Sequence, residues 1–271
     1  MSRLAIIAGS GDLPAALVAA LAEMPLICAL EGFVPGGVVV DQVFRVERLA
    51  LFLRYLEDAG VSHVVFAGAV QRPRLDPSLF DPRTAQMVPR LLAAMQAGDD
   101  ASLREVLAIF EEAGFAVVGV PDIAPALLPG AGVWAGAVSD ENESDAARGG
   151  LIVAALGAVD VGQACVVANG LCLAVEALPG TDAMLENVAA MPATLRPKVR
   201  PDALGAGLLF KAAKPGQDRR IDLPTLGLRT VQAAAAAGLD GIVWAAGEVI
   251  CLDLPCMQAE ATRLGLFLWA R

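Results

Sequence analysis

The sequence predicts an α/β protein in two parts, a parallel sheet with helices on both faces followed by a mixed α/β half with antiparallel hairpins. Three observations predict it. Short apolar runs alternate with helix-length segments through the first half, the spacing of strand–helix–strand units. Residues 121–137 (PDIAPALLPGAGVWAGA) then gather three prolines and three glycines, as an interdomain connection does. Beyond it, Asn169-Gly170 separates two apolar runs, a strong two-residue hairpin signal. The division places domains at 1–130 and 131–271.

Each element has its own signal. Residues 3–8 (RLAIIA) read as a strand, closed by the glycine turn Gly9-Ser10-Gly11 and a helix beginning near Leu13. Leu26–Leu30 is a second strand, Arg45–Ala59 a helix, and His63–Ala67 (HVVFA) a buried strand ending at Gly68. Thr84–Gln96 and Asp100–Ala113 are consecutive helices, the second expected to be capped by Asp99 or Asp100, and Phe115–Val120 is a strand. In the second half, Ser139–Leu156 reads as a capped helix and Ala164–Ala168 with Leu171–Ala177 as the hairpin. Thr181–Met191 is a helix, Gly207–Ala212 a strand and Thr225–Ala237 an alanine-rich helix. Gly241–Ala245 and Val249–Asp253 are expected to form a second hairpin around Gly247-Glu248, before a final helix and strand.

Composition narrows the function classes. The chain has 271 residues, 56% of them hydrophobic, but only nine Phe, three Trp and one Tyr, so its core is aliphatic. A formal net charge of -10 excludes the broad basic surface that a nucleic-acid partner requires. The five cysteines are scattered without a CxxC pair and the only histidine is His63, which argues against a zinc site or a disulfide framework and favours a reducing compartment. The N-terminus reaches Asp12 too soon for a signal-peptide core, and no apolar run approaches the ~18 residues of a membrane span. A soluble cytoplasmic protein is expected.

Four stretches carry candidate chemistry. Gly9-Ser-Gly-Asp-Leu-Pro14 would let a phosphate or ring approach the backbone at a helix N-terminus, although Pro14 stands where a dinucleotide fingerprint has its third glycine. A plain strand-to-helix turn explains the same residues. Gly68-Ala-Val-Gln-Arg-Pro73 would put Gln71 and Arg72 on the same sheet edge, or form a solvated loop; His63 lies at the other end of that strand. Gln163 and the turn Glu176-Ala-Leu-Pro-Gly-Thr-Asp182 come third: Thr181 or Asp182 could cap a helix, but capping does not explain Glu176, a carboxylate ending an apolar strand.

The fourth stretch is Lys211–Gly227 (KAAKPGQDRRIDLPTLG), where Lys211, Lys214, Arg219 and Arg220 stand beside Asp218 and Asp222. The window from Arg196 to Arg220 holds seven of the chain's twenty basic residues. A local positive cluster in an acidic protein fits a discrete anion, and interleaved aspartates fit a metal ion beside it, the combination that phosphoryl transfer uses. Asp222, between Ile221 and Leu223, is expected to be partly enclosed. A solvated charged loop is the bland alternative.

KAAKP with GQDRRIDLPTLG, EALPGTDAM, VDVGQACVV, IIAGSGDLP and FAGAVQRP together resemble the metal-dependent UDP-2,3-diacylglucosamine pyrophosphatases of lipid A biosynthesis, the LpxI type and not the calcineurin-like type. The resemblance spans nearly the whole chain. It implies hydrolysis of UDP-2,3-diacylglucosamine to UMP and 2,3-diacylglucosamine 1-phosphate, with Mg2+ or another divalent cation. It also implies an N-terminal Rossmann-like domain, a homodimer, lipid lying between the domains, and at most peripheral contact with the inner membrane face.

Carried onto this sequence, the resemblance makes Asp222 the leading catalytic carboxylate or metal ligand, with Asp218, Glu176 and Asp182 in support and Asp222, Asp218 and Glu176 as the metal set. Lys211, Lys214, Gln217 and Arg219 would contact the diphosphate, near Gln163 and Thr181. Gly9, Gly11, Asp12 and Leu13, with Gly68, Ala69 and Val70, would meet the nucleotide or sugar. A non-catalytic nucleotide-sugar or lipid-binding regulator is the alternative, disfavoured because Asp218 and Asp222 would repel a bare diphosphate. A nucleotide-dependent transferase or oxidoreductase with Glu31 on the ribose is a weaker one.

Overall fold

A computed structural model describes residues 3–71, 74–196 and 205–271. Arg72 and two of the seven clustered cations, Lys198 and Arg200, lie outside the described residues. The chain forms two compact units. The first runs through Ala126 and also takes in Asp218–Asp222; the second comprises Leu127–Gln217 and Leu223–Arg271. The contiguity of the KPGQDRRIDLP stretch in sequence therefore does not carry over to the fold, since five of its residues cluster with the first unit.

The first unit contains β1 (Arg3–Ala8), α1 (Leu13–Ala20), β2 (Leu26–Leu30), β3 (Gln42–Phe44), α2 (Leu49–Asp58), β4 (Val61–Ala67), α3 (Pro82–Ala97), α4 (Asp99–Glu112), β5 (Ala116–Val117) and α5 (Val120–Ile123). Its sheet is parallel throughout, in the order β3-β2-β1-β4-β5. β1 and β4 are central, and Ile6, Val64 and Val65 are fully buried, which is why these strands read as unbroken apolar runs. Leu49, Phe52, Leu53 and Leu56 of α2 pack with Leu107 and Phe110 of α4 on Ala5, Cys28 and Val64. The expected helix from Arg45 opens instead as a 3-10 turn, Val46–Arg48, and the expected cap of α4 falls on Gly98. The strand expected over 115–120 shortens to Ala116–Val117 because α5 begins at Val120, with Pro121 in its first turn.

The second unit contains β6 (Gly132–Ala135), α6 (Asp140–Ala158), β7 (Ala164–Ala168), β8 (Leu171–Val175), α7 (Gly180–Ala189), β9 (Leu208–Lys211), β10 (Thr225–Leu226), α8 (Leu228–Ala236), β11 (Gly241–Trp244), β12 (Ile250–Cys251), α9 (Leu254–Leu264) and β13 (Phe267–Ala270). Six strands form a mixed sheet in the order β6-β13-β11-β9-β7-β8. β9, β11 and β13 are parallel; β6, β7 and β8 join antiparallel. Met184, Leu185, Val231, Ala234, Met257 and Ala261 from α7, α8 and α9 cover one face, and Ala146 and Val153 of α6 pack with Phe210 and Val243 on the other. The unit is thus mixed α/β with a true hairpin, β7–β8, whose turn residues Asn169 (φ 50) and Gly170 (φ 77) take the left-handed conformations of a type I′ turn.

The second expected hairpin does not form. β11 is paired on both edges, by β9 and β13, so no edge remains for the strand that follows. That strand, β12, pairs in parallel with β10, which occupies the start of the segment expected to be wholly helical from Thr225. The turn amides between β11 and β12 go elsewhere, Ala246 N to Arg271 O and Gly247 N to Pro129 O, both at 2.9 Å.

Candidate functional site

In the first unit the order β2-β1-β4 makes the β1/β4 boundary the point where the chain reverses its direction of winding, the usual ligand position in such sheets. The loops after these two strands are locked together. Ser10 and Ala69 exchange backbone hydrogen bonds, both 2.9 Å, and Gly9 N donates to Ala67 O at 2.8 Å. A Cβ on Gly9 would lie 2.6 Å from Ala69 O, and one on Gly68 (φ +99) would lie 2.7 Å from the Gly9 carbonyl. These two glycines are therefore required by each other. Gly11, Asp12, Ala69 and Val70 stay exposed at this edge, with Leu13 half-buried, and Gly11 has open space where a side chain would stand. A recess of about 210 Å3 opens at the ends of β2 and β3, lined in part by Glu31, Phe33, Arg45, Glu47, Gln71 and Arg74. Glu31, the candidate ribose acceptor of the oxidoreductase reading, forms an ion pair with Arg45.

Asp218–Asp222 belongs to this unit. Asp218 organises the segment: its Oδ1 accepts from Arg220 N at 3.0 Å, and its O accepts from Ile221 N at 3.2 Å. The Arg220 guanidinium closes on Asp218, with Nη2 to Oδ2 at 2.7 Å, and its Nη1 reaches Glu111 Oε1 on α4. Through this hydrogen-bonded arginine the Asp218 carboxyl is held below its usual 3.8. Ile221 is buried in the core of the unit. Asp222 follows with φ 59, a left-handed backbone on a non-glycine residue. Its side chain is exposed, which corrects the expectation of partial enclosure: the flanking Ile221 and Leu223 are the residues that are buried, and the left-handed turn at Asp222 leaves its own side chain in solvent. Arg219 is exposed.

In the second unit the end of β9 delivers Lys211 into a buried position, only 7% exposed, where Nζ donates to Thr181 Oγ1 of α7 at 2.7 Å. Gln163 lies beside it, its carbonyl accepting from Ala212 N at 3.0 Å. Lys214 is stapled from two sides: its N donates to Gln217 Oε1 at 3.0 Å, and Nζ pairs with Asp160 at 2.5 Å. Asp182 sits exposed in the first turn of α7, 4.0 Å from Arg229. Glu176 immediately follows β8, and its Oε2 is buried with no hydrogen-bond partner among the described residues.

Each unit thus gathers its own share of the expected residues. Thr181, Lys211 and Gln163 come together, as do Lys214 and Gln217. Gly9 meets Gly68 and Ala69, while Gly11, Asp12 and Leu13 follow on the first loop and Val70 on the second. The orphan oxygen of Glu176 fits a hard divalent cation, the donor type that magnesium takes. Among the described residues no three His, Cys, Asp or Glu side chains stand grouped around one point, and Asp218 spends its oxygens on Arg220. Sequence reasoning missed Asp160 and Glu111. Asp160 had a visible signal, an acid between two valines at a helix end; Glu111 had none, because its partner lies 109 residues away.

Fold and site define a two-unit α/β protein that presents a glycine-lined parallel-sheet edge in one unit and a lysine- and carboxylate-bearing mixed sheet in the other. The family model described as the LpxI N-terminal domain matches residues 3–127, and that of the LpxI C-terminal domain matches residues 130–269. The UDP-2,3-diacylglucosamine pyrophosphatase LpxI of Caulobacter vibrioides is 36% identical over 278 aligned positions, covering 98% of this chain and 96% of that protein. The chain belongs to the LpxI family.

Proposed function

We propose that this chain is a cytoplasmic, homodimeric hydrolase that cleaves UDP-2,3-diacylglucosamine with water to 2,3-diacylglucosamine 1-phosphate and UMP in lipid A biosynthesis. The observation that carries the reading is the end-to-end likeness to the Caulobacter pyrophosphatase, 36% identity across 98% of the chain. No helix among the described residues is long and apolar enough to cross a membrane, and we propose at most peripheral contact with the bilayer that holds the lipid substrate.

Water adds to the phosphorus next to the sugar, the bond from that phosphorus to the bridging oxygen breaks, and the bridging oxygen leaves with UMP. Lys211, Lys214, Gln217 and Arg219 bind the diphosphate. Lys211 suits this work because its ammonium is already desolvated and aimed by Thr181, so little reorganisation accompanies charge transfer to the leaving oxygen. Asp222 orients the attacking water and takes its proton; its strained, exposed placement favours that role over a structural one. Glu176 is the carboxylate we assign to a divalent cation, with Asp182 in support, and Asp218 positions the Asp222 segment through Arg220. A bound Mg2+ supplies neutralisation of the phosphate oxygens. Gly11, Asp12 and Leu13, with Ala69 and Val70, face the nucleotide.

Incubation with UDP-2,3-diacylglucosamine and Mg2+ in 18O-labelled water tests the proposal. UMP is expected to appear, with the label in the sugar 1-phosphate and turnover lost on chelation. Tight binding without UMP release would make the chain the regulator instead, and label in UMP would move the attack to the other phosphorus.

A further inference from the structure

We propose that Glu111, acting through Arg220, is a positioning residue for Asp222; the inference rests on the reading of Asp222 as the carboxylate that handles the attacking water. Asp222 is two residues from Arg220, in a backbone conformation that non-glycine residues seldom hold without support. The support is local and can be named. On one side, Ile221 is anchored in the core of the first unit. On the other, the Arg220 guanidinium is held between Asp218, which takes Nε and Nη2, and Glu111, which takes Nη1. Beneath both, the backbone rests on Gly119, where a Cβ would lie 3.0 Å from Arg220 Cα and 3.1 Å from Arg219 O.

Within this arrangement Glu111 is, among the described residues, the acidic partner of Arg220 that comes from outside the segment. Asp218 and Arg220 lie two residues apart, so their pairing alone fixes the guanidinium only relative to its own segment. Glu111 sits in the last turn of α4, so its bond to Nη1 references that loop to a helix packed into the core through Leu107 and Phe110. The carboxylate and the guanidinium are 45% and 36% exposed, and exposed ion pairs contribute little to global stability. What such a pair does determine is the direction in which Arg220, and with it the Asp222 backbone, is held. Small displacements of a catalytic carboxylate reduce the rate far more than they reduce stability.

The test compares Glu111→Ala, Glu111→Gln and Asp222→Asn in steady-state hydrolysis of UDP-2,3-diacylglucosamine, with thermal unfolding of each. Glu111→Ala is expected to lower kcat about 10-fold with KM little changed. Its unfolding midpoint should stay within about 2 °C of the parent, as for a surface pair. Glu111→Gln keeps an oxygen for Nη1 and should recover most of the rate. In an Asp222→Asn background, adding Glu111→Ala should lower the residual rate no further, because the residue through which it acts is gone. An undiminished kcat in Glu111→Ala, a loss matched by lower folded fraction, or an equal loss in the Asp222→Asn background would each overturn the inference. An Asp222→Asn enzyme at full rate would overturn the reading of Asp222 itself. An inactive Asp222→Asn beside a fully active Glu111→Ala would overturn the present inference alone.

Discussion

Gly68 has no room for a methyl group: a Cβ there would press on the Gly9 carbonyl and Ser10 O, each 2.7 Å away, in a backbone with φ +99. Gly68→Ala is therefore expected to cost about 2–3 kcal/mol or more in urea unfolding, as strained backbone and overpacking together do. A change below about 0.5 kcal/mol, the range of neutral surface substitutions, would show that the two loops are not locked. At this scale several features of the candidate residues were legible. Glu176 follows an apolar run, which sets this carboxylate apart in the sequence, and its orphan oxygen agrees. Lys211 stood out for the same reason, a cation at the end of GLLFK. Asp222 stands out from its neighbours in sequence, but its exposure and left-handed backbone were not readable, because the unit boundary falls beside it, with Ile221 buried in the first unit and Leu223 in the second. The glycines were read as places for a ligand to approach, whereas Gly9 and Gly68 make room chiefly for one another.

Among the elements, α6 and the β7–β8 hairpin depend on one carboxylate. Asp145 of α6, 2% exposed, accepts from Asn169 N at 2.9 Å and Gly170 N at 2.6 Å, satisfying the turn amides from outside the hairpin. Asp145→Ala leaves those amides without an acceptor and is expected to cost about 2–3 kcal/mol in unfolding, with kcat of the folded fraction unchanged. A neutral outcome would mean that water replaces the carboxylate there. The hairpin itself was legible because its signal is local: two residues, Asn and Gly, that tolerate positive φ. Gly247-Glu248 offers a comparable local signal and misleads, since the choice between hairpin and crossover was made by β13, which occupies the edge of β11. β3, with three residues, and β10, with two, are too short to show a period; they exist because a longer neighbour offers an edge.

For the whole molecule, acidity, aliphatic composition and strand–helix alternation were enough to predict α/β architecture and to set aside nucleic acid as a partner. They could not show that a compact unit need not be continuous in sequence. Asp218–Asp222 clusters with residues that precede Ala126, and Ile221 joins a core otherwise built before residue 118. The order of synthesis follows from this. As the chain leaves the ribosome, nearly all of the first unit emerges long before its last five residues, and it must wait through most of the second unit's translation with a gap where Ile221 belongs. Burying an isoleucine is worth about 1.5–3 kcal/mol, a large share of the margin by which a domain of this size stays folded. Nascent chains arrested short of residue 218 should accordingly be cut by protease within the first unit far more readily than chains arrested after it, and equal resistance would show that the gap is tolerated. Translation of the segment that presents Asp222 is then also the step that finishes the first fold.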